Sequence, residues 1–245
     1  MTFTTDLPVP ERALAICAHP DDVEFQAGAT LAKWAASGCA IHHVVCTNGD
    51  KGSWDPAQDR SRLVADRHSE QRDAARVLGG AGDDVVFLDW PDGQLEAGIQ
   101  QRAQVAYWIR HFRPEVVIGH DPWKRYRLHP DHRNAGWLTA DAVVAARDPH
   151  FFPELGAAAW RPRHLLLFEA DEANHVESVD EQAAETKVRS LLEHRSQFRS
   201  THAITDADDS EQVARFRQRM MLRLGEHGAL VGFERGEAYH LIDRL

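Results

Sequence analysis

Residues 13–46 read ALAICAHPDDVEFQAGATLAKWAASGCAIHHVVC, and three patterns follow one another in them. Ala13–Ala18 is a short continuous apolar run, as a buried strand requires. Glu24–Ser37 changes to amphipathic helical spacing and is followed by Gly38, a residue that adopts the left-handed conformation a helix end needs. Ala40–Cys46 is again short, apolar and rich in β-branched residues. A strand, a helix and a strand in direct succession imply parallel neighbours joined by a helical crossover.

The same rhythm continues outward. Strands are predicted at Val85–Leu88, Val116–Gly119 and Leu165–Phe168, and helices at Arg60–Leu78, Ile99–Phe112, Arg133–Ala146, Glu181–Gln197 and Ser210–Leu224. Gly79-Gly80 stands where a helix end needs an αL residue, and Asp180 where an N-cap belongs. The pattern predicts an α/β fold: a Rossmann-like, doubly wound, mostly parallel sheet with helices on both faces. At 245 residues and 43% hydrophobic content, residues 1–245 suit a single domain. Asp148–Arg163 and Thr201–Asp209 fall outside the rhythm and read as loops over the core.

A net charge of −10 leaves no basic face for phosphates, so nucleic acid is excluded as an expected partner. The first residues carry no basic-then-apolar leader and no run is long enough to span a bilayer, which predicts a soluble, cytoplasmic protein. Cys17, Cys39 and Cys46 are odd in number and lack paired spacing, so neither a disulfide framework nor a cysteine zinc site is expected. Scattered histidines such as His68, His164 and His194 read as surface or packing residues.

In open α/β sheets the ligand crevice lies outside the carboxyl ends of the strands. The first strand runs directly into His19-Pro20-Asp21-Asp22, where Pro20 stiffens a strand-to-helix corner and lets His19 and Asp22 converge on one point. The run ending at Gly119 is followed, after a loop, by His129-Pro130-Asp131-His132 and another helix pattern. Each motif alone also reads as a cap and turn sequence. Two of them at two strand ends favour a shared His/Asp/His site with an open fourth position, the arrangement of catalytic zinc.

These motifs resemble the hallmark of the LmbE-like, or PIG-L-type, deacetylase family: Ala18-His19-Pro20-Asp21-Asp22 and His129-Pro130-Asp131-His132. The resemblance extends to Thr47-Asn48-Gly49, the Arg67–Glu70 segment, Asp92-Gly93, His194–Phe198 and Gly236–Tyr239. Val23-Glu24 departs from the family, which often has Glu directly after the paired aspartates. The resemblance implies one Zn2+ per chain and hydrolysis of an N-acetyl group from a glucosamine-type substrate or conjugate. A thiol conjugate or antibiotic precursor is an alternative substrate, and symmetric homo-oligomers are common among similar enzymes. Carried over by position, His19, Asp22 and His132 hold the metal, Asp21 is the general base, and His129 is the general acid assisted by Asp131. Arg67 and Asp92 match substrate-contacting positions. Arg127 occupies the place of a tyrosine found in some relatives, and Tyr126 receives no catalytic role.

The chemistry suits these residue types. Zinc polarises an acyl oxygen and activates water, an ionised Asp21 accepts the water's proton, and His129 returns a proton to the departing nitrogen. Lys124, Arg125, Arg127 and Arg133 gather beside the second motif and offer either an electropositive rim for an anionic substrate or, the favoured reading, an ordinary solvated loop. A nucleotide-binding Rossmann protein is a rival, but Gly79–Gly82 follows a helix, whereas a phosphate loop follows a strand. A His-Asp phosphohydrolase built on His120-Asp121 and a non-enzymatic metal-binding protein are the remaining alternatives.

Overall fold

The computed structural model describes residues 2–245. In chain order its elements are β1 (Thr4–Thr5), β2 (Arg12–Cys17), α1 (Asp22–Ala36), β3 (Ala40–Thr47), α2 (Arg60–Leu78), β4 (Val85–Trp90), α3 (Ile99–Phe112), β5 (Val116–His120), α4 (Pro130–Arg147), β6 (His164–Phe168), β7 (His175–Ser178), α5 (Glu181–Leu191), α6 (Ser210–Ala229) and β8 (Gly236–Asp243). One sheet runs β1-β7-β8-β6-β5-β2-β3-β4. Only β8 is antiparallel to its neighbours, β6 and β7.

The central strand shows why an unbroken apolar run was needed. Ala13, Ala15 and Cys17 of β2 face Ala27, Leu31 and Trp34 of α1, whereas Leu14 and Ile16 face Val105 and Ile109 of α3 and Leu138 of α4. All of β2 from Ala13 to Cys17 is inaccessible to solvent. Both faces of a central parallel strand are covered, so no position on it is left for a polar residue. Full burial of Leu14 or Ile16 contributes roughly 1.5–3 kcal/mol each.

Three strands were not anticipated, and each has a physical reason. β1 is two residues long and leaves no periodic trace. β7 and β8 carry buried Glu177 and Glu237, which break an apolar pattern but are neutralised by Lys33 and Lys187. The helix expected over Glu181–Gln197 stops at Leu191. Beyond it, Glu70 of α2 accepts from both the backbone N–H and the hydroxyl of Ser196, at 2.8 and 2.6 Å, which competes with helical continuation. A tight turn over Arg195–Gln197 and a π-turn over Phe198–His202 follow.

The helices after the two motifs begin earlier than their periodicity suggested, at Asp22 and Pro130, so both motifs form first turns. A close approach holds the second in place. A Cβ on Gly136 would stand 2.9 Å from the carbonyl oxygen of His120, and one on Gly119 would stand 2.9 Å from the Thr139 side chain. Helix α4 thus lies against the end of β5, and β5 pairs with β2 through Gly119 and Ile16. The two motifs share one rim. Among the described residues no helix is long and apolar enough to cross a membrane. All three cysteines are free and buried.

Candidate active site

His19 and Asp22 come from the β2–α1 corner and His132 from the first turn of α4. The Nδ1 of His19 lies 3.2 Å from Nε2 of His132 and 3.5 Å from Oδ2 of Asp22, and His132 Nε2 lies 3.2 Å from Oδ1 of Asp22. Donors bound tetrahedrally to one zinc ion at about 2.0–2.1 Å are separated by roughly 3.3 Å. The three donors fit one divalent ion. Three overlapping sets also have ligating atoms within 4.8 Å of one another: His19/His129/His132, Asp22/His120/His132 and His19/Asp92/Asp131.

The other nitrogen of His19 distinguishes among them. Its Nε2 lies 3.2 Å from Oδ2 of Asp131 and 3.2 Å from Oδ1 of Asp92. A ring N–H pointing at these carboxylates leaves Nδ1 as the lone pair facing Asp22 and His132, the arrangement in which outer carboxylates orient a ligating imidazole. Burial disfavours protonated His19, but hydrogen bonds to Asp131, Asp22 and Asp92 outweigh it and raise the imidazole well above its ordinary pKa. The same contact changes the expected pairing of Asp131. Its carboxylate reaches His19 and accepts from the backbone N–H groups of Gly93 and Leu95, and no hydrogen bond joins it to His129.

Asp21 caps α1 in the left-handed region, at φ 91°, which a residue with a Cβ rarely adopts. The surroundings hold it there. Gln71 of α2 accepts the Asp21 N–H at 2.9 Å and donates to Glu24 at 2.7 Å. Arg67 donates to the carbonyls of Pro20, at 2.6 Å, and Gly49, at 3.0 Å, and its guanidinium lies 3.6 Å from the Asp21 carboxylate. Burial raises the Asp21 carboxyl to about 6, against the opposing pull of Arg67 and His194. Arg67, expected to contact substrate, lines the cavity while its guanidinium buttresses this corner.

Asp92 also lines the cavity. Burial would raise its carboxyl, but the contact with His19 holds it down at about 2. His129 stands at the mouth with its ring 4.7 Å from those of both His19 and His132. Burial and these two imidazoles lower its pKa, outweighing Asp131, which was expected to raise it. The cavity has a volume of about 610 Å³ and is lined by His19, Asp21, Asp22, Asp92, His129 and His132 among others.

Several supporting residues left little trace in the sequence. His120 Nε2 lies 3.2 Å from Oδ2 of Asp22, and its ring stacks on His132 at 4.5 Å. In the sequence it stood only as the first half of the His120-Asp121 doublet that ends the apolar VVIG run. Glu169 lies beside His120, and although burial raises its carboxyl, His120 and Arg127 hold it at about 2. His194, expected as a surface or packing residue, is fully buried 3.5 Å from Glu24 behind the Asp21 corner.

The cationic loop proves mostly self-paired. Arg127 binds Glu169 at 2.6 Å and lies 3.1 Å from Nδ1 of His132, Arg125 faces Asp171 at 3.7 Å, and Arg133 donates to the Leu128 carbonyl at 3.0 Å. Lys124 alone of the four has no such partner among the described residues.

Comparison with known proteins adds to this geometry. The family described as PIG-L: GlcNAc-PI de-N-acetylase matches residues 14–143, the stretch that holds both motifs. A diacetylchitobiose deacetylase of Thermococcus kodakarensis is 30% identical over 191 residues, covering 77% of this chain and 70% of that protein. A 1D-myo-inositol 2-acetamido-2-deoxy-alpha-D-glucopyranoside deacetylase of Streptomyces avermitilis is 34% identical over 176 residues, or 62% of this chain and 58% of that relative's length. The N,N'-diacetylchitobiose deacetylase of Pyrococcus horikoshii superposes with a TM-score of 0.84 at 24% identity, covering 96% of this chain and 84% of that one. The 4-carboxy-2-hydroxymuconate hydratase GalB of Pseudomonas putida superposes with a TM-score of 0.73 at 19% identity, covering 96% of this chain and 97% of that one. Deacetylases and a hydratase therefore share this fold, and fold alone does not select the reaction.

Proposed function

The chain belongs to the PIG-L family, and from that membership we propose that it is a zinc-dependent hydrolase that removes an N-acetyl group from an amino sugar or amino-sugar conjugate. The observation that carries this reading is the convergence of His19 Nδ1, the Asp22 carboxylate and His132 Nε2 at 3.2–3.5 Å, in one cavity with Asp21 and His129. The named sugar deacetylases that share 30–34% of their aligned residues with the chain support the same substrate class.

His19, Asp22 and His132 would hold the ion. When bound, it supplies Lewis acidity toward an acyl oxygen and makes water nucleophilic near neutral pH. Asp21 accepts the proton of the attacking water. Its carboxyl at about 6 is mostly ionised at neutral pH yet basic enough to take a proton, the compromise a general base requires. His129, at the cavity mouth beside His19 and His132, is placed to donate a proton to the departing amine. Asp131 and Asp92 orient His19, while Gln71 and Arg67 hold the corner that aims Asp21.

The test is release of acetate and free amine from a panel of N-acetylated amino sugars and their glycosides. We expect equal amounts of both products, loss of activity on chelation and recovery with zinc. No release from any member of the panel, or release undiminished by chelation, would overturn the reading.

A further inference from the structure

The two ring nitrogens of His132 have different neighbours. Nε2 lies 3.2 Å from Oδ1 of Asp22 and 3.2 Å from Nδ1 of His19, while Nδ1 lies 3.1 Å from Nη1 of Arg127. A guanidinium carries donors and no acceptor, so this last hydrogen bond runs only from Arg127 to a lone pair on Nδ1. A neutral imidazole has one lone pair and one N–H, and the proton then sits on Nε2, facing the Asp22 carboxylate. A ligand to zinc through Nε2 needs the opposite assignment, with the lone pair on Nε2 and the Nδ1 N–H donated to a carboxylate, a carbonyl or water. His19 meets that requirement, because its outer nitrogen faces the acceptors Asp131 and Asp92. For His132, the Arg127 contact and ligation through Nε2 exclude each other.

Arg127 is also poorly satisfied for a buried cation. Its side chain is only 8% exposed, yet Nη1 alone makes both of its contacts, to His132 and to Oε2 of Glu169 at 2.6 Å. Nε and Nη2 are buried with no hydrogen-bond partner among the described residues. Buried donors left unpaired are costly, so a position that gives them an acceptor is favoured as soon as Nδ1 is released. Glu169 is the acceptor at hand. A carboxylate can take two parallel N–H bonds from one guanidinium, and the other neighbour of Glu169, His120 Nδ1, stands off at 3.8 Å.

We infer that Arg127 is a positioning residue that opposes metal binding: it occupies Nδ1 of His132, and zinc is held only when Arg127 turns from His132 to Glu169. This rests on the zinc reading of the site. Zinc affinity is thereby set below what His19, Asp22 and His132 would give alone. Removal of Arg127 tightens binding, whereas removal of the His19 partner Asp131 weakens it.

The experiment measures the zinc affinity of the full chain by competition with a chelator of known affinity. Arg127→Gln, whose amide oxygen can accept the Nδ1 N–H, should bind zinc about tenfold or more tighter than wild type, within the range by which outer-shell partners change metal affinity. Arg125→Gln removes the same charge from an exposed position on the same loop, where solvent screens it, and should stay within about twofold. Nitrogen-15 spectra of the wild type, taken where the imidazole is neutral and assigned by the loss of signals in His132→Gln, give a readout independent of any variant's folding. The His132 proton should sit on Nε2 in chelator-treated protein and on Nδ1 after zinc is added. Unchanged or weaker zinc binding by folded Arg127→Gln, equal tightening by Arg125→Gln, or a proton on Nδ1 before zinc is added would overturn the role of Arg127 and leave the zinc site standing. Failure of the wild type to bind zinc would overturn both.

Discussion

The Nε2 of His19 and the Oδ2 of Asp131 lie 3.2 Å apart although 112 residues separate them in the chain. This contact joins the two motifs and leaves Nδ1 as the nitrogen of His19 that faces Asp22 and His132. It also sets Asp131 against His19, where the resemblance had placed it in support of His129, and we propose that it orients His19.

Asp131→Ala should therefore act on metal affinity first. Loss of an outer-shell carboxylate typically weakens binding about 10- to 100-fold, and zinc titration against a competing chelator measures it. Unchanged zinc affinity with a shifted alkaline limb of the rate profile would return Asp131 to His129.

Asp21→Asn should retain one zinc per chain and lose about 10²- to 10⁴-fold in kcat, the usual weight of a general base. His132→Ala should lose the zinc itself. Metal analysis beside an acetate assay separates the two, and loss of zinc in both variants would refute the division of roles.

Gln71→Leu removes the acceptor that holds the Asp21 N–H in its left-handed conformation. A fall in kcat of about 10- to 100-fold is expected with KM and zinc content near wild type, by analogy with other outer-shell losses. Normal turnover in a folded Gln71→Leu protein would show that the corner holds itself.

Acid stability should depend on Glu237. Its carboxylate meets Lys187 Nζ at 2.5 Å and accepts from the Thr30 N–H at 2.7 Å. Burial raises its pKa, but Lys187 and Thr30 outweigh this and hold it below the ordinary 4.5. The folded chain binds this proton more weakly than the unfolded one, so the stabilisation is complete above 4.5 and is lost as pH falls through the depressed value. Glu237→Gln strands Lys187 and should cost about 3–5 kcal/mol at neutral pH while flattening the acid slope of Tm. An unchanged acid slope would assign the effect to other carboxylates.

The central strands and both His-Pro-Asp corners were legible because their chemistry is local: an apolar run, a stiff corner and a helix start follow directly in sequence. His19, Asp21, Asp22, His129 and His132 all belong to these corners, and the fold brings them to one cavity. Gln71, His120, Glu169 and His194 could not be read this way, because each acts through a partner brought near only by packing, as Gln71 meets Asp21 from 50 residues away. Glu177 and Glu237 hid β7 and β8, since a buried carboxylate reads as a surface residue until its lysine is found. Arg125 and Arg127 read as parts of a solvated loop, and only the fold places Asp171 and Glu169 beside them.

The most direct test of the account is an anomalous-scattering map from crystals soaked in zinc. One strong peak bonded to His19 Nδ1, the Asp22 carboxylate and His132 Nε2 is the predicted result. A peak held by His19 Nε2 with Asp92 and Asp131, or none within reach of both His19 and His132, would contradict it.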